Sequence, residues 1–283
     1  MNNSEYLIKN SLISKDQIVF FGYARDNKKV KFFKDKEKKI IFTDYFTNFA
    51  NLYSKGKHYN KNKNDYFEKK NDTERRLIEF QSFYKNKVIC DFGCGDGFFL
   101  KKIKKKSKKI YGVELNTTNI KSLNKAKIII KDNINLINEK FDSIFLFHVL
   151  EHLPNAIDVL KELKLKFKRK GRIIIEVPHA KDILLDKFEN KDFINFTLWS
   201  QHLILHTKES LKFFLQKSGY KNIKIYGIQR YNIINHFNWM QNKMPGGHKS
   251  KLSKKLSKLH VRNYELFLKD IEATDTLIAI AEY

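Results

Sequence analysis

Val88-Ile89-Cys90-Asp91-Phe92-Gly93-Cys94-Gly95-Asp96-Gly97 is the stretch on which the reading of this chain turns. An apolar strand that ends in an acid and runs into Gly-x-Gly-x-Gly lets bare backbone pass close under a nucleoside ligand, where a side chain would collide. Beyond it, Glu114 ends the next apolar run, Ile110-Tyr111-Gly112-Val113. A carboxylate at that place suits ribose hydroxyls. The glycine spacing departs from the Gly-x-Gly-x-x-Gly of dinucleotide folds, so the loop alone says little and the order of landmarks carries the argument.

Working outward, the pattern predicts strands at 88–92, 110–114, 127–131, 142–147 and 172–177, separated by helices at 99–106, 117–125 and 155–169. A long connection, 179–207, leads to a helix Lys208–Gly219, a strand Lys221–Gln229, an insertion 230–274 and a last strand Thr276–Ala281. Such alternation predicts an α/β fold, a parallel sheet with helices on both faces. Ligands then bind at the carboxyl ends of strands, where Asp91, Glu114, Asp132, His148 and Pro178-His179 fall. Before the core, 18–23, 30–33 and 40–43 read as an antiparallel meander, followed by Tyr45, Tyr53 and Tyr59. Tyr66–Tyr84 is an amphipathic helical pattern in which Asp72-Thr73-Glu74 reads as the start of a second half. This divides the chain into an N-terminal segment, 1–63, and a main domain, 64–283.

With those landmarks in order, the chain resembles the class I S-adenosylmethionine (SAM) dependent methyltransferases, over roughly 64–229 plus the last strand. The resemblance implies a Rossmann-like seven-stranded sheet, mostly parallel with an antiparallel last strand, preceded here by the small meander and a helix. It implies SAM as cofactor and S-adenosylhomocysteine (SAH) as product. The residues it assigns to the cofactor are Asp91, Gly93, Cys94, Gly95 and Gly97, then Glu114 and Leu115, then Asp132 and Asn133 beside the adenine, and Phe147. It brings His148-Val149-Leu150-Glu151-His152-Leu153-Pro154 to face the transferable methyl.

The sulfonium already makes that methyl electrophilic, so the protein must align a nucleophile, exclude water and accept a proton. His148 is the candidate base, imidazole having an ordinary pKa near 6.5. Glu151 and His152 complete the catalytic candidates; at i, i+3 and i+4 the three share one helical face. Two imidazoles and a carboxylate can hold a divalent ion, but the sequence favours hydrogen-bonded orientation of loops, and no metal is expected. Tyr59, His179, His202, Arg230 and Tyr231 are candidate substrate contacts, Arg230 and Tyr231 suiting a phosphate.

The net charge of +25 comes from 49 lysines and only 7 arginines in a chain also rich in Asn, Ile and Phe. That bias fits solvated helix ends such as Lys101–Lys109 better than a nucleic-acid surface. No apolar run approaches the ~18 residues of a membrane helix, and the polar start and two free cysteines, Cys90 and Cys94, fit a cytoplasmic chain. The expected activity is O-methylation of a small phosphorylated or nucleotide-linked molecule. The resemblance of Leu203–His248 to methyltransferases of glycan gene clusters suggests an activated sugar for surface polysaccharide. An RNA or DNA methyltransferase and a non-catalytic partner protein are the alternatives, and a homodimer is a candidate assembly. Against the DNA reading, Phe147-His148-Val149-Leu150 stands where amino-methylating DNA enzymes carry Asn/Asp-Pro-Pro-aromatic.

Overall fold

The computed structural model describes residues 2–45 and 63–283. Its strands are β1 (Ile18–Tyr23), β2 (Lys31–Asp35), β3 (Ile41–Phe42), β4 (Val88–Phe92), β5 (Lys109–Val113), β6 (Ile129–Lys131), β7 (Phe141–Phe147), β8 (Phe167–Pro178), β9 (Ile204–Leu205), β10 (Lys221–Ile228) and β11 (Thr276–Glu282). Seven of them form the expected sheet, in the order β10-β11-β8-β7-β4-β5-β6. The β4–β8 pairings are parallel, and β11 lies antiparallel between β8 and β10.

Period-two alternation sorts the central strands into two cores, one on each face. Cys90, Ile144, Leu146, Ile173, Ile175 and Ala279 enter one; Ile89, Phe145, Ile174 and Ile278 enter the other. Helix Ala156–Lys164 covers the first face with Ile157, Leu160 and Leu163. Helix Phe98–Ile103 covers the second with Phe99, Leu100 and Ile103. Each such side chain, fully buried, contributes about 1.5–3 kcal/mol.

Several boundaries differ from expectation: the helix expected over 99–106 ends at Ile103, the strand expected over 127–131 begins at Ile129, and the helical pattern Tyr66–Tyr84 divides into Lys63–Glu79 and Gln81–Tyr84. The helix expected over 155–169 ends at Lys164, and β8 begins at Phe167 rather than 172. Phe167 pairs with Phe141 across the sheet and is buried, so packing overrides the helix-like lysine pattern around it. The helix Lys63–Glu79 runs without a break through Asp72-Thr73-Glu74. The Asp72 carboxylate does not cap a new start; it accepts from Arg230 Nε at 2.9 Å.

The meander forms as expected, and β3 additionally pairs with β9 from the 179–207 connection. Lys34 donates to Asp186 at 3.0 Å with both side chains buried. The N-terminal segment therefore shares a sheet and a buried ion pair with the main domain. Among the described residues no helix is long and apolar enough to cross a membrane.

Candidate active site

The Gly93–Gly97 loop leaves β4 with Gly93, Gly95 and Gly97 all at positive φ, 78°, 56° and 69°. A Cβ on Gly93 would stand 2.4 Å from a Val149 methyl, and one on Gly97 2.4 Å from a Leu123 methyl. Glycine is required there both by backbone conformation and by close approach. The Glu114 carboxylate, buried at the end of β5, accepts from Gly95 N–H at 2.7 Å and from Asn116 N–H at 2.8 Å. It thereby ties the first strand end to the second, and each oxygen keeps a lone-pair direction for a ribose hydroxyl.

Above the loop lies a cavity of about 240 Å³ lined by Asp91, Gly93, Cys94, Gly95, Phe147 and His148 among others. Its far wall is the helix Lys63–Glu79, which contributes Lys69, Asp72, Thr73 and Arg76. Burial pushes the Asp91 carboxyl up, Arg76 pulls it back and Glu114 and Asp96 push it further, leaving it at about 7. Burial also raises the Cys94 thiol, so it is no nucleophile at neutral pH.

His148 follows β7 with φ 55°, a left-handed conformation uncommon outside glycine, which costs on the order of 1–3 kcal/mol and is held by His148 N–H donating to Glu176 O at 2.8 Å. Its Nδ1 stands 3.4 Å from Glu151 Oε1 and its Nε2 3.2 Å from Glu176 Oε1, the latter without hydrogen-bond alignment. Burial would lower the imidazole, but the two carboxylates outweigh it and raise its pKa. Glu176 is fully buried and accepts from Arg75 Nη2 at 2.7 Å and from Arg76 Nε and Nη2 at 3.1 and 2.8 Å. Although burial opposes ionisation, Arg76, His148 and Arg75 hold Glu176 far below the usual carboxylate range. Glu151, equally buried, is brought down to about 2 against its desolvation by His148 and His152.

A second cavity of about 360 Å³ opens at the ends of β8 and β11, lined by His179, His202, Arg230, Tyr231, Asp182 and Asp275, with Arg25, Phe196 and Trp199 at its aromatic side. The Arg25 guanidinium lies 4.7 Å over the Phe196 ring and 4.0 Å over Trp199. Arg230 makes a two-point pair with Asp72, Nε at 2.9 Å and Nη2 at 2.5 Å. Asp72 lines the smaller cavity and Arg230 the larger, so this pair stands where the two adjoin. Burial lowers His179 to about 4 and, with His152 beside it, His202 to about 3; both rings are neutral at physiological pH.

The structure thus brings together Asp91, Gly93, Cys94, Gly95, Phe147 and His148 around one cavity, and His179, His202, Arg230 and Tyr231 around its neighbour. Gly97 starts the helix Phe98–Ile103 beside the first. Leu115, Asp132 and Asn133 do not line it; they stand exposed at the ends of β5 and β6, next to Glu114 through Glu114 N–H donating to Lys131 O at 2.9 Å. Glu151 and His152 lie behind His148, lining neither cavity. Tyr59 lies outside the described residues. Sequence reasoning missed the wall of Lys69, Asp72, Thr73 and Arg76, although i, i+3, i+4 and i+7 spacing marks one helix face. It also missed Arg25, whose place beside Trp199 depends on the meander docking onto the 179–207 connection.

Comparison with known proteins agrees with this geometry. A family model described as a methyltransferase domain matches residues 63–225. A tRNA U34 carboxymethyltransferase of Aliarcobacter butzleri is 25% identical over 155 residues, 50% of this chain and 49% of that protein, and one of Nautilia profundicola is 24% identical over 159 residues, 52% and 51%. The chain spans about half the length of these curated relatives. Among solved structures, a SAM-dependent methyltransferase of Archaeoglobus fulgidus superposes with a TM-score of 0.53 at 21% identity, covering 78% of this chain and all of that one. A Thermotoga maritima SAM-dependent methyltransferase gives 0.51 at 14% identity, covering 77% and 91%. With the family model spanning more than half of its length, this chain belongs to the methyltransferase-domain family, and its fold is the Rossmann-like one of the solved methyltransferases.

Proposed function

We propose that this protein transfers the SAM methyl group to an oxygen of a small, nucleotide-sized anionic molecule, such as an activated sugar, bound in the larger cavity. The observation that carries the reading is that cavity itself. It adjoins the smaller cavity at the strand ends, encloses about 360 Å³, and combines flat rings with the Arg25 guanidinium and with Arg230, whose Nε and Nη2 are held by Asp72. Such a mixture suits a ring plus a phosphate or carboxylate. SAM would lie over Gly93–Gly97 with its ribose at Glu114 and its ammonium and sulfonium near Asp91. SAM supplies the activated methyl, and the protein's part is to line up the acceptor and take its proton. In this reading His148 accepts that proton, and Glu151 and Glu176 stabilise the imidazolium that forms. Replacing His148 with Ala should leave SAM affinity within about threefold and lower kcat at least 100-fold, the usual scale of general-base loss. Full turnover in that variant would remove His148 from the mechanism.

A second reading, methylation of an RNA nucleoside, is favoured by the names of the curated relatives and by the charge of +25. SAH release measured with nucleotide sugars and phosphorylated metabolites in one arm, and total tRNA in the other, separates the two. The tRNA arm is run at about 50 and 200 mM salt, because attraction resting on phosphate contacts alone falls about 10³–10⁵-fold over that range. Turnover with tRNA alone would replace the small-acceptor reading.

A further inference from the structure

We propose that Glu151, His152 and His202 form a binding site for one divalent transition-metal ion of borderline softness, zinc being the best match, behind His148. Ligand atoms of the three residues all lie within 4.8 Å of one another, and Glu151 Oε1 is 3.8 Å from His152 Nε2. Bonds of about 2.0–2.2 Å in tetrahedral geometry put ligand atoms about 3.3–3.6 Å apart. Contraction of at most about 1.2–1.5 Å from that limit, within reach of side-chain rotation, closes the site.

The two rings are set for this. His152 Nδ1 lies 2.9 Å from Gln201 O and His202 Nδ1 3.3 Å from Thr197 O. A carbonyl only accepts, so each Nδ1 donates to it; in the neutral ring that leaves the lone pair on Nε2, the tautomer a metal ligand needs. Glu151 offers the charge: its side chain is 1% exposed, and its basic neighbours, His148 Nδ1 at 3.4 Å and His152 Nε2 at 3.8 Å from Oε1, are not in hydrogen-bond alignment with it. A buried carboxylate without aligned donors leaves its lone pairs open to a metal ion. The geometry is also braced, because Leu203 N–H donates to Glu151 O at 2.7 Å and fixes the turn carrying Glu151 and His152 against the segment carrying His202. The rings stand 5.0 Å apart. Two imidazoles and one carboxylate select zinc, cobalt or iron over magnesium or calcium, which prefer all-oxygen shells. Of the three, His202 also lines the larger cavity.

Two segments far apart in sequence supply the site; His148, Glu151 and His152, the trio read from spacing, also meet at Glu151 Oε1, but not on one helical face, since His148 sits at φ 55° ahead of the single turn Leu150–His152.

The test needs neither SAM nor a methyl acceptor, so its failure and that of the small-acceptor reading are distinguishable. Protein stripped with EDTA is titrated with zinc chloride by calorimetry and with cobalt chloride by visible absorption. One equivalent of zinc and an intense four-coordinate cobalt spectrum are expected, each weakened at least about 100-fold in Glu151→Gln and His202→Ala and unchanged in the exposed His260→Ala. Absence of stoichiometric zinc binding by the unaltered protein, or wild-type affinity in His202→Ala, overturns the proposal. If circular dichroism shows a substituted protein unfolded, the cobalt spectrum of the unaltered protein decides: a six-coordinate, weakly absorbing ion overturns the site.

Discussion

Asp91 sets a pH dependence on cofactor binding that can be worked out from its surroundings. Its carboxyl is buried at the end of β4 and, without ligand, titrates at about 7. SAM brings an ammonium and a sulfonium, which favour the ionised form, so binding carries the pKa down and the protonated protein binds poorly. Kd then scales as 1 + 10^(7 − pH), a rise of roughly 25-fold between about pH 7.5 and 5.5 if Asp91 stays ionised in the complex. Because its folded pKa is raised, this group stabilises the ligand-free protein below its unfolded value of 3.8, and that contribution is lost as pH climbs towards 7. SAM should therefore raise Tm more at pH 7.5 than at 5.5. Calorimetric titration across that range, on the unaltered protein and on Asp91→Asn, measures the slope directly. A flat profile in the unaltered protein, or an equal slope in Asp91→Asn, would refute the reasoning.

Glu114→Gln puts an amide nitrogen against either Gly95 N–H or Asn116 N–H and removes the charge facing the ribose. At about 1.5–3 kcal/mol per hydrogen bond to a charged group, SAM affinity should fall about 10- to 150-fold by calorimetry with the fold intact by circular dichroism. Glu176→Gln leaves Arg75, Arg76 and His148 around a neutral group and should cost about 3 kcal/mol in urea unfolding near pH 7, the low end for breaking a buried pair because Arg75 is partly exposed. The depressed pKa of Glu176 means its contribution is present above the unfolded value of 4.5 and fades as pH falls below it, so the gap between variant and unaltered protein should narrow under acid. Gly97→Ala forces a side chain into φ 69° and into Leu123, and should lower stability by about 1–3 kcal/mol while weakening SAM binding; an unchanged urea midpoint would contradict the close contact.

Much of the fold was readable because its signals are local. Apolar runs of three or four residues, each followed by an acid or a histidine or, after Ile130, by Lys131-Asp132, mark parallel strands buried on both faces. The glycines declare positive φ by their identity, and the carboxylate at position 114 follows from strand order alone. The helix boundary at Lys164 was not readable, since Phe167 joins β8 only through its partner Phe141.

What the sequence by itself determined is therefore the chain's architecture and the cofactor loop with its acid, features encoded within single segments. Only the tertiary structure decided which helix closes the cavity over the glycine loop, that Arg230 is held by Asp72, and that His202 reaches Glu151 and His152. Those contacts join residues between about 50 and 160 positions apart, whose meeting is set by packing of the two cores and not by any local spacing. For the same reason the shape of the larger cavity, assembled from the meander, the 179–207 connection and the insertion after β10, is not encoded in any one motif.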